Sequence, residues 1–333
     1  MEGDWPFVSI IVPVYNGGLT IDALLTSLTA LDYPDGRFEI IVVDNKSTDD
    51  SRKRIKKHPV TLVEETQIQS SYAARNRGID VAKGEILAFT DADCVADPGW
   101  LIKLLARSKD PRWGGAAGRI EAYPSDNLVA RYCRQSGLLD VSRQHSYFFQ
   151  DGSGERLYRL VAALDPRRDI SLPFNLVNAH TGNVAYRRQV LEQIGCFDAQ
   201  MSTGGDFDLG WRVQTQTDFE VLIEPDAIVY HQHREDLASF ASMIRRYGNA
   251  YSALALKYST EPKTTARQLW IFGSLVTILT VPSHLLKMLT LPFKAIAKRT
   301  DSLFWGTPVL SLIASVAYNI GKAEEGWREL HKK

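Results

Sequence analysis

Apolar residues along the chain gather into short runs that alternate with stretches of helical spacing. Val8-Ser9-Ile10-Ile11-Val12-Pro13-Val14-Tyr15 is rich in β-branched residues and reads as a buried strand, closed by the turn Asn16-Gly17-Gly18. From Thr20 onward, Ile21, Leu24, Leu25 and Leu28 recur at the spacing of one helix face. After the turn Tyr33-Pro34-Asp35-Gly36, a second buried strand runs from Phe38 to Val43 and ends on Asp44. Asp49 and Asp50 then read as the acidic first turn of a helix. A short strand, Val60 to Val63, precedes a helix from Ser70 to Ala82 that carries Arg75 and Arg77. Next comes Glu85-Ile86-Leu87-Ala88-Phe89-Thr90, an apolar strand whose far end meets two acids, Asp91 and Asp93. Such alternation predicts an α/β fold, a Rossmann-like, mostly parallel sheet flanked by helices.

Further along, a helix is expected from Trp100 to Arg107 and a small-residue strand from Gly114 to Ile120. Residues 140–172 are polar and mixed, the composition of a variable, substrate-facing or mobile segment. A strand around Asn183 leads into a helix ending at Ile194, and another helix starts near Asp206. Val221 to Tyr230 reads as a pair of strands ahead of His231-Gln232-His233. Beyond residue 238 the pattern turns helical. Phe240, Ile244, Tyr247, Tyr251 and Leu254 form a stripe, followed by apolar runs at 269–281, 285–293 and 303–320. Pro282, Pro292 and Pro308 interrupt these runs, which fall short of the ~20 residues a spanning helix needs. With Lys287, Lys294, Lys298 and Arg299 among them and Trp270 and Trp305 near their ends, they suit interfacial or re-entrant helices on an anionic leaflet. The alternative is a helical cap or a dimer interface. The expected division is a catalytic domain over 1–238 and a C-terminal helical, membrane-associated appendage over 239–333.

Composition narrows the class without naming a function. The 333 residues are 44% hydrophobic and 23% charged, as in a folded globular protein. Lys plus Arg and Asp plus Glu both number 39, so no global charge argues for nucleic acid. Cys94, Cys133 and Cys196 are scattered and lack metal spacing, which suits a reducing compartment. The N-terminal residues lack a secretory pattern, so the expected location is cytoplasmic, peripheral or monotopic at a membrane.

Candidate chemistry centres on the acids. In an open α/β sheet, ligands sit outside the carboxyl ends of the strands. Asp91 and Asp93 are placed there to hold a divalent cation that in turn holds phosphates, or else they are turn residues closing a strand. Asp44, ending the second strand, is placed to accept hydrogen bonds from a base or ribose, or is a cap. No G-x-G-x-x-G or P-loop follows the first strand, which argues against a dehydrogenase or an ATPase. A Gly-rich basic loop there is also absent, and that disfavours a sugar-phosphate nucleotidyltransferase. Asp206, flanked by Gly204 and Gly205 at a helix start, is a general-base candidate or a first-turn acid. His231 and His233 lie two apart on an extended chain, so both can face one cleft, and Arg234 follows as a candidate partner for a leaving diphosphate.

Ser9 to Asn16, Ile41 to Asp49, Ala74 to Gly78 and Gly84 to Asp93 together resemble the family 2 glycosyltransferases with the GT-A fold. Asn183 to Arg188 resembles the family's Gly-Asn-x-Ala-x-Arg-Arg segment. The resemblance implies transfer of a sugar from a UDP- or GDP-linked donor to a hydroxyl acceptor; an identifiable base favours inversion, with retention the alternative. The apolar tail suggests that this acceptor is lipid or lipid-linked. It implies that Pro13, Tyr15 and Asn16 line the nucleotide pocket, Asp44 contacts the base, and Arg75 joins the donor site. Asp91 would lie near the ribose, and Asp93 would ligate Mn²⁺ or Mg²⁺, with His231 as a further ligand and His233 as second choice. Asp206 would be the base. Where the family commonly reads Glu-Asp-x-Asp, this chain has Gly205-Asp206-Phe207-Asp208, so the first acid is missing. A membrane-associated protein that binds the donor without turnover is the other reading of that departure.

Overall fold

The computed structural model describes residues 5–139, 176–233, 236–295 and 302–332. The polar stretch 140–172 and Arg234 lie outside these residues. Two compact units emerge. One comprises, of the described residues, 5–124, 139 and 176–233; the other comprises 125–138 and everything from 236 onward.

The first unit is built on an eight-stranded sheet. Its strands are β1 (Val8–Val14), β2 (Phe38–Asp44), β3 (Thr61–Glu64), β4 (Ile86–Thr90), β5 (Cys94–Ala96), β6 (Trp113–Ala122), β7 (Asn183–Arg187) and β8 (Glu220–His231), in the spatial order β3-β2-β1-β4-β7-β6-β8-β5. The first four are parallel, as an alternation of buried apolar strands and helices requires. Past β4 the expectation of a mostly parallel sheet fails. β7 inserts antiparallel between β4 and β6, and β5 pairs antiparallel with β8, so the sheet is mixed. Nor is 221–230 two strands: β8 is one strand that runs parallel to β6 past an irregularity at Gly118 and Arg119. Pro225 and Asp226 interrupt its apolar pattern because both are exposed there.

Helices cover the sheet: α1 (Ile21–Thr29), α2 (Ser51–Ile55), α3 (Ser71–Val81), α4 (Trp100–Leu104), α6 (Arg188–Ile194) and α7 (Gly205–Gln216), while α5 (Leu128–Ser136) belongs to the second unit. α1 buries the four apolar residues of its stripe. α3, α6 and α7 share one core with the sheet, in which Ile11, Leu87, Phe89, Val184, Leu191 and Leu209 pack together. The basic pair Arg187 and Arg188 ties strand ends rather than binding a ligand. Arg187 donates to the carbonyls of Trp113, Ser108 and Asp110, and Arg188 to those of Ala82 and Gly84.

The second unit adds α8 (Leu237–Lys257), α9 (Pro262–Ala295) and α10 (Ser302–Leu330) to α5. α9 and α10 run through Pro282, Pro292 and Pro308, so the proline interruptions do not divide the tail as expected; each proline removes one N–H from the helix ladder. Backbones approach closely where a Cβ on Gly248 or Gly321 would strike a carbonyl of the facing helix. Nearby, the Lys322 ammonium lies 4.1, 4.9 and 5.3 Å from the ring centres of Tyr251, Tyr318 and Phe272. No helix among the described residues is long and apolar enough to cross a membrane.

Ser9 is the polar exception within β1. It is fully buried; its Oγ donates to Glu39 Oε1 at 2.7 Å and accepts from the N–H groups of Gly84 at 2.7 Å and Lys83 at 3.2 Å. Ser9→Ala leaves a buried amide unpaired, and the expected loss is about 2 kcal/mol of unfolding free energy in urea titration. A loss below ~0.5 kcal/mol would contradict this role.

Candidate active site

Every residue placed here belongs to the first unit. At the carboxyl end of β1, Pro13 is buried while Tyr15 is exposed. Asn16, at φ 51°, ties the loop after β2: its Oδ1 accepts from Thr48 N at 2.8 Å and its N–H donates to Ser47 Oγ at 2.9 Å. One step along the sheet, Asp44 closes β2 opposite Val14. It is 2% exposed; Arg52 Nε lies 3.8 Å from Oδ2, and Oδ1 is buried with no hydrogen-bond partner among the described residues. A buried carboxylate oxygen left open is costly and therefore marks a place for a donor N–H or O–H.

The two acids after β4 have different partners. Asp91 forms an ion pair with Arg75 of α3, whose side chain is almost wholly buried. Burial drives the Asp91 carboxyl above the ordinary range, opposed by Arg75 and assisted by Asp93. Asp93 faces His231, with Oδ2 3.4 Å from Nε2. Burial also works against its charge, but His231 beside it, with His233 behind, holds it below the ordinary range. Strand pairing brings these groups together: Cys94 is opposite His231 in the β5–β8 ladder, and Gln232 N donates to Asp93 O at 2.7 Å. The His231 and His233 rings are 4.5 Å apart. Burial, and then the neighbouring imidazole, pushes His233 down to about 3, so it stays neutral. Its Nδ1 is buried with no hydrogen-bond partner among the described residues.

Asp206 sits in the first turn of α7, which starts from Gly204 at φ 78°. Two residues on, Asp208 is fully buried and pairs with Arg212 at 2.9 Å, and Arg212 also ties down the carbonyls of Ile194, Gly195 and Cys196. Asp208 therefore anchors the helix and leaves Asp206 at the surface of the cleft, 17% exposed. Beside it lies a residue the sequence did not single out. His180 Nδ1 is 3.8 Å from Asp206 Oδ2, and the ring packs edge-on against Phe207 at 4.9 Å. Burial lowers the pKa of His180, against the pull of Asp206 and Asp91. Asp91 thus lies within electrostatic reach of Asp93, His231 and Asp206, and His180 within that of Asp206, Asp91 and His231. By contrast, Asn183 is spent on structure: it accepts from Trp100 Nε1 at 2.8 Å and donates to the carbonyls of Arg119 and Ala227.

The glycosyl transferase family 2 model matches residues 9–195, more than half of the chain. The chain belongs to that family. It is a nucleotide-sugar-dependent glycosyltransferase with the GT-A fold. Among curated relatives, the enzyme is 29% identical over 241 residues to glycosyltransferase AglE of Haloferax volcanii, covering 70% of this chain and 69% of the relative. It is 27% identical over 279 residues to the pre-mycofactocin glycosyltransferase of Mycobacterium tuberculosis, covering 81% of this chain and about half, 53%, of that protein. A solved structure of similar fold is the mannosyltransferase PcManGT from Pyrobaculum calidifontis, in complex with GDP-Man and Mn²⁺. Its TM-score is 0.54 at 19% identity, covering 94% of this chain and 87% of that one.

Arg75→Met strands Asp91 without its counter-charge. Because Asp91 keeps about a third of its surface exposed, the expected loss is moderate, about 2 kcal/mol of unfolding free energy. Chemical denaturation at neutral pH reads it, and an unchanged midpoint would show that the pair does not hold the site.

Proposed function

We propose that this glycosyltransferase moves a sugar from a UDP- or GDP-linked donor onto a hydroxyl of a lipid or lipid-linked acceptor, with inversion and with Mn²⁺ or Mg²⁺. The observation that carries the reading is the pairing of Asp93 with His231 and of Asp206 with His180, both acids close enough to act on the charge of Asp91.

On the donor side, the open Oδ1 of Asp44 accepts an N–H of the base, beside a pocket lined by Pro13, Tyr15 and Asn16. Asp91, fixed by Arg75, takes the ribose. The cation falls to Asp93 and one imidazole, that of His231 or, as second choice, of His233. Their chemistry fits: the carboxylate is held ionised, His233 is neutral, and its Nδ1 is open. Among the described residues, no group of three or more such side chains could hold a metal ion, so the remaining ligands come from the diphosphate and water. A mixed imidazole–carboxylate set favours Mn²⁺ over Mg²⁺, which prefers oxygen. A bound cation supplies positive charge against the diphosphate as it departs. Asp206 takes the proton of the acceptor hydroxyl while that oxygen bonds to the anomeric carbon. The bond from that carbon to the diphosphate oxygen breaks, and its electron pair stays with the diphosphate.

Residues 1–238 then form the catalytic part and 239–333 the membrane-associated part, lying on the cytoplasmic leaflet. Trp270 and Ile278 of α9 and Trp327 of α10 are exposed, and Arg267 and Arg328 stand exposed near them in sequence. Aromatic and aliphatic side chains mixed with cations suit an anionic bilayer surface.

A thermal-shift panel of nucleoside diphosphates, with and without Mn²⁺, identifies the base. Asp93→Ala is expected to abolish the Mn²⁺-dependent part of the shift. Asp206→Asn is expected to keep the shift and to lower donor turnover at least ~100-fold. A normal metal response in the first variant, or normal turnover in the second, would overturn the assignment. In a separate test, the full chain should co-sediment with vesicles rich in phosphatidylglycerol, and Trp270→Glu with Ile278→Glu should release it. Equal sedimentation of both proteins would refute the surface.

A further inference from the structure

We propose that Tyr72 positions the catalytic base: its phenol, carried on α3, fills the space of a side chain at residue 205 and fixes the first turn of α7, and so Asp206. This rests on the reading of Asp206 as base.

The first N–H groups of a helix need acceptors from outside it. α7 starts at Gly204, which has no side chain to cap them. Gly205 N donates instead to the Tyr72 hydroxyl oxygen at 2.9 Å, a buried bond across 133 positions of chain. Burial, with the charge of Asp206, raises the pKa of the phenol, which therefore stays protonated.

Sterics make the arrangement exclusive. A Cβ on Gly205 would lie 2.9 Å from Cε2 and Cζ of the Tyr72 ring. The ring is backed against Phe197, stacked at 5.8 Å and 18°, and Phe197 meets Phe89 edge-on at 5.3 Å. Phe197 is further held by its own backbone, whose N–H and carbonyl both bond to Asn76 of α3 at 3.0 and 2.8 Å. Tyrosine at 72 and any side chain at 205 therefore compete for one volume. That competition accounts for Gly205 at a position where the family resemblance leads one to expect an acid.

The same helix holds the other side of the cleft. One turn after Tyr72, Arg75 pairs with Asp91, and its guanidinium carbon is 5.9 Å from the ring centres of both Tyr72 and Phe197. A single face of α3 thus spaces the donor-side acid from the base. A phenol shifted by a fraction of an ångström moves Asp206 relative to the donor, and transfer rates are steep in such displacements.

Release of nucleoside diphosphate from UDP-glucose and GDP-mannose by the full-length enzyme with Mn²⁺, water serving as acceptor, tests this. Tyr72→Phe keeps the ring and removes the hydroxyl. The expected result is a roughly tenfold or greater fall in kcat, with donor KM within about twofold of the parent. A role confined to stability would leave kcat per folded molecule intact. Gly205→Glu alone is expected to be inactive, and adding Tyr72→Ala to it should restore turnover above that of Tyr72→Ala alone. The proposal is overturned by Tyr72→Phe with parental kcat, or by Gly205→Glu that is equally impaired with and without the change at 72. Asp206→Asn in the same assay separates the two ideas. Parental turnover there removes the base reading and this proposal with it, whereas an inactive Asp206→Asn beside a fully active Tyr72→Phe removes the proposal alone.

Discussion

The site depends on the ion pair between Arg75 and Asp91. Asp91 stands close enough to Asp93 and Asp206 that their charges, together with burial, work against its own, and acids so placed call for counter-charges. Arg75 engages one of them from the interior, and His231 engages the second from the end of β8. The third is left beside a histidine that burial keeps neutral. Similar side chains thus acquire different work. Asp91 is occupied by the Arg75 guanidinium, Asp93 is held ionised beside an imidazole, and Asp206 has His180 beside it at 3.8 Å and stays 17% exposed.

Strand order brings distant segments to this point. The first four strands place Asp44 and Asp91 at carboxyl ends, where parallel sheets present their ligands. The antiparallel additions supply the rest. β7 lies against β4 and carries His180 to the cleft just ahead of Asn183, while the three-residue β5 pairs with the end of β8 and so presents His231 to Asp93. α3 spans the gap, with Tyr72 and Arg75 one turn apart on its buried face.

Legibility in the sequence followed burial. β1, β2 and β4 are covered on both faces, so they appear as unbroken apolar runs, and the acids at their ends stood out. β5 is too short to show a period. β8 carries Pro225 and Asp226 at exposed positions and looked like two strands. α9 and α10 hide their length in the sequence, because Pro282, Pro292 and Pro308 read as breaks and the helices run through them. Asp206 is visible after two glycines at a helix start. His180 is not, because a lone histidine in a loop has no pattern until its partner's position is known. Tyr72 carries no signal in the sequence beyond its place on α3; it packs in the core, and the hydroxyl contact to Gly205 gives it a second role.

The central claim is a division of labour in which Arg75 occupies Asp91, so that a cation falls to Asp93 and His231. Electron spin-echo spectroscopy of Mn²⁺ bound to the full chain with the preferred nucleoside diphosphate tests it directly. A ¹⁴N modulation from imidazole is expected, lost in His231→Gln and retained in Asp91→Asn. Absence of that nitrogen signal in the parent protein, or its loss in Asp91→Asn with His231 intact, would contradict the account.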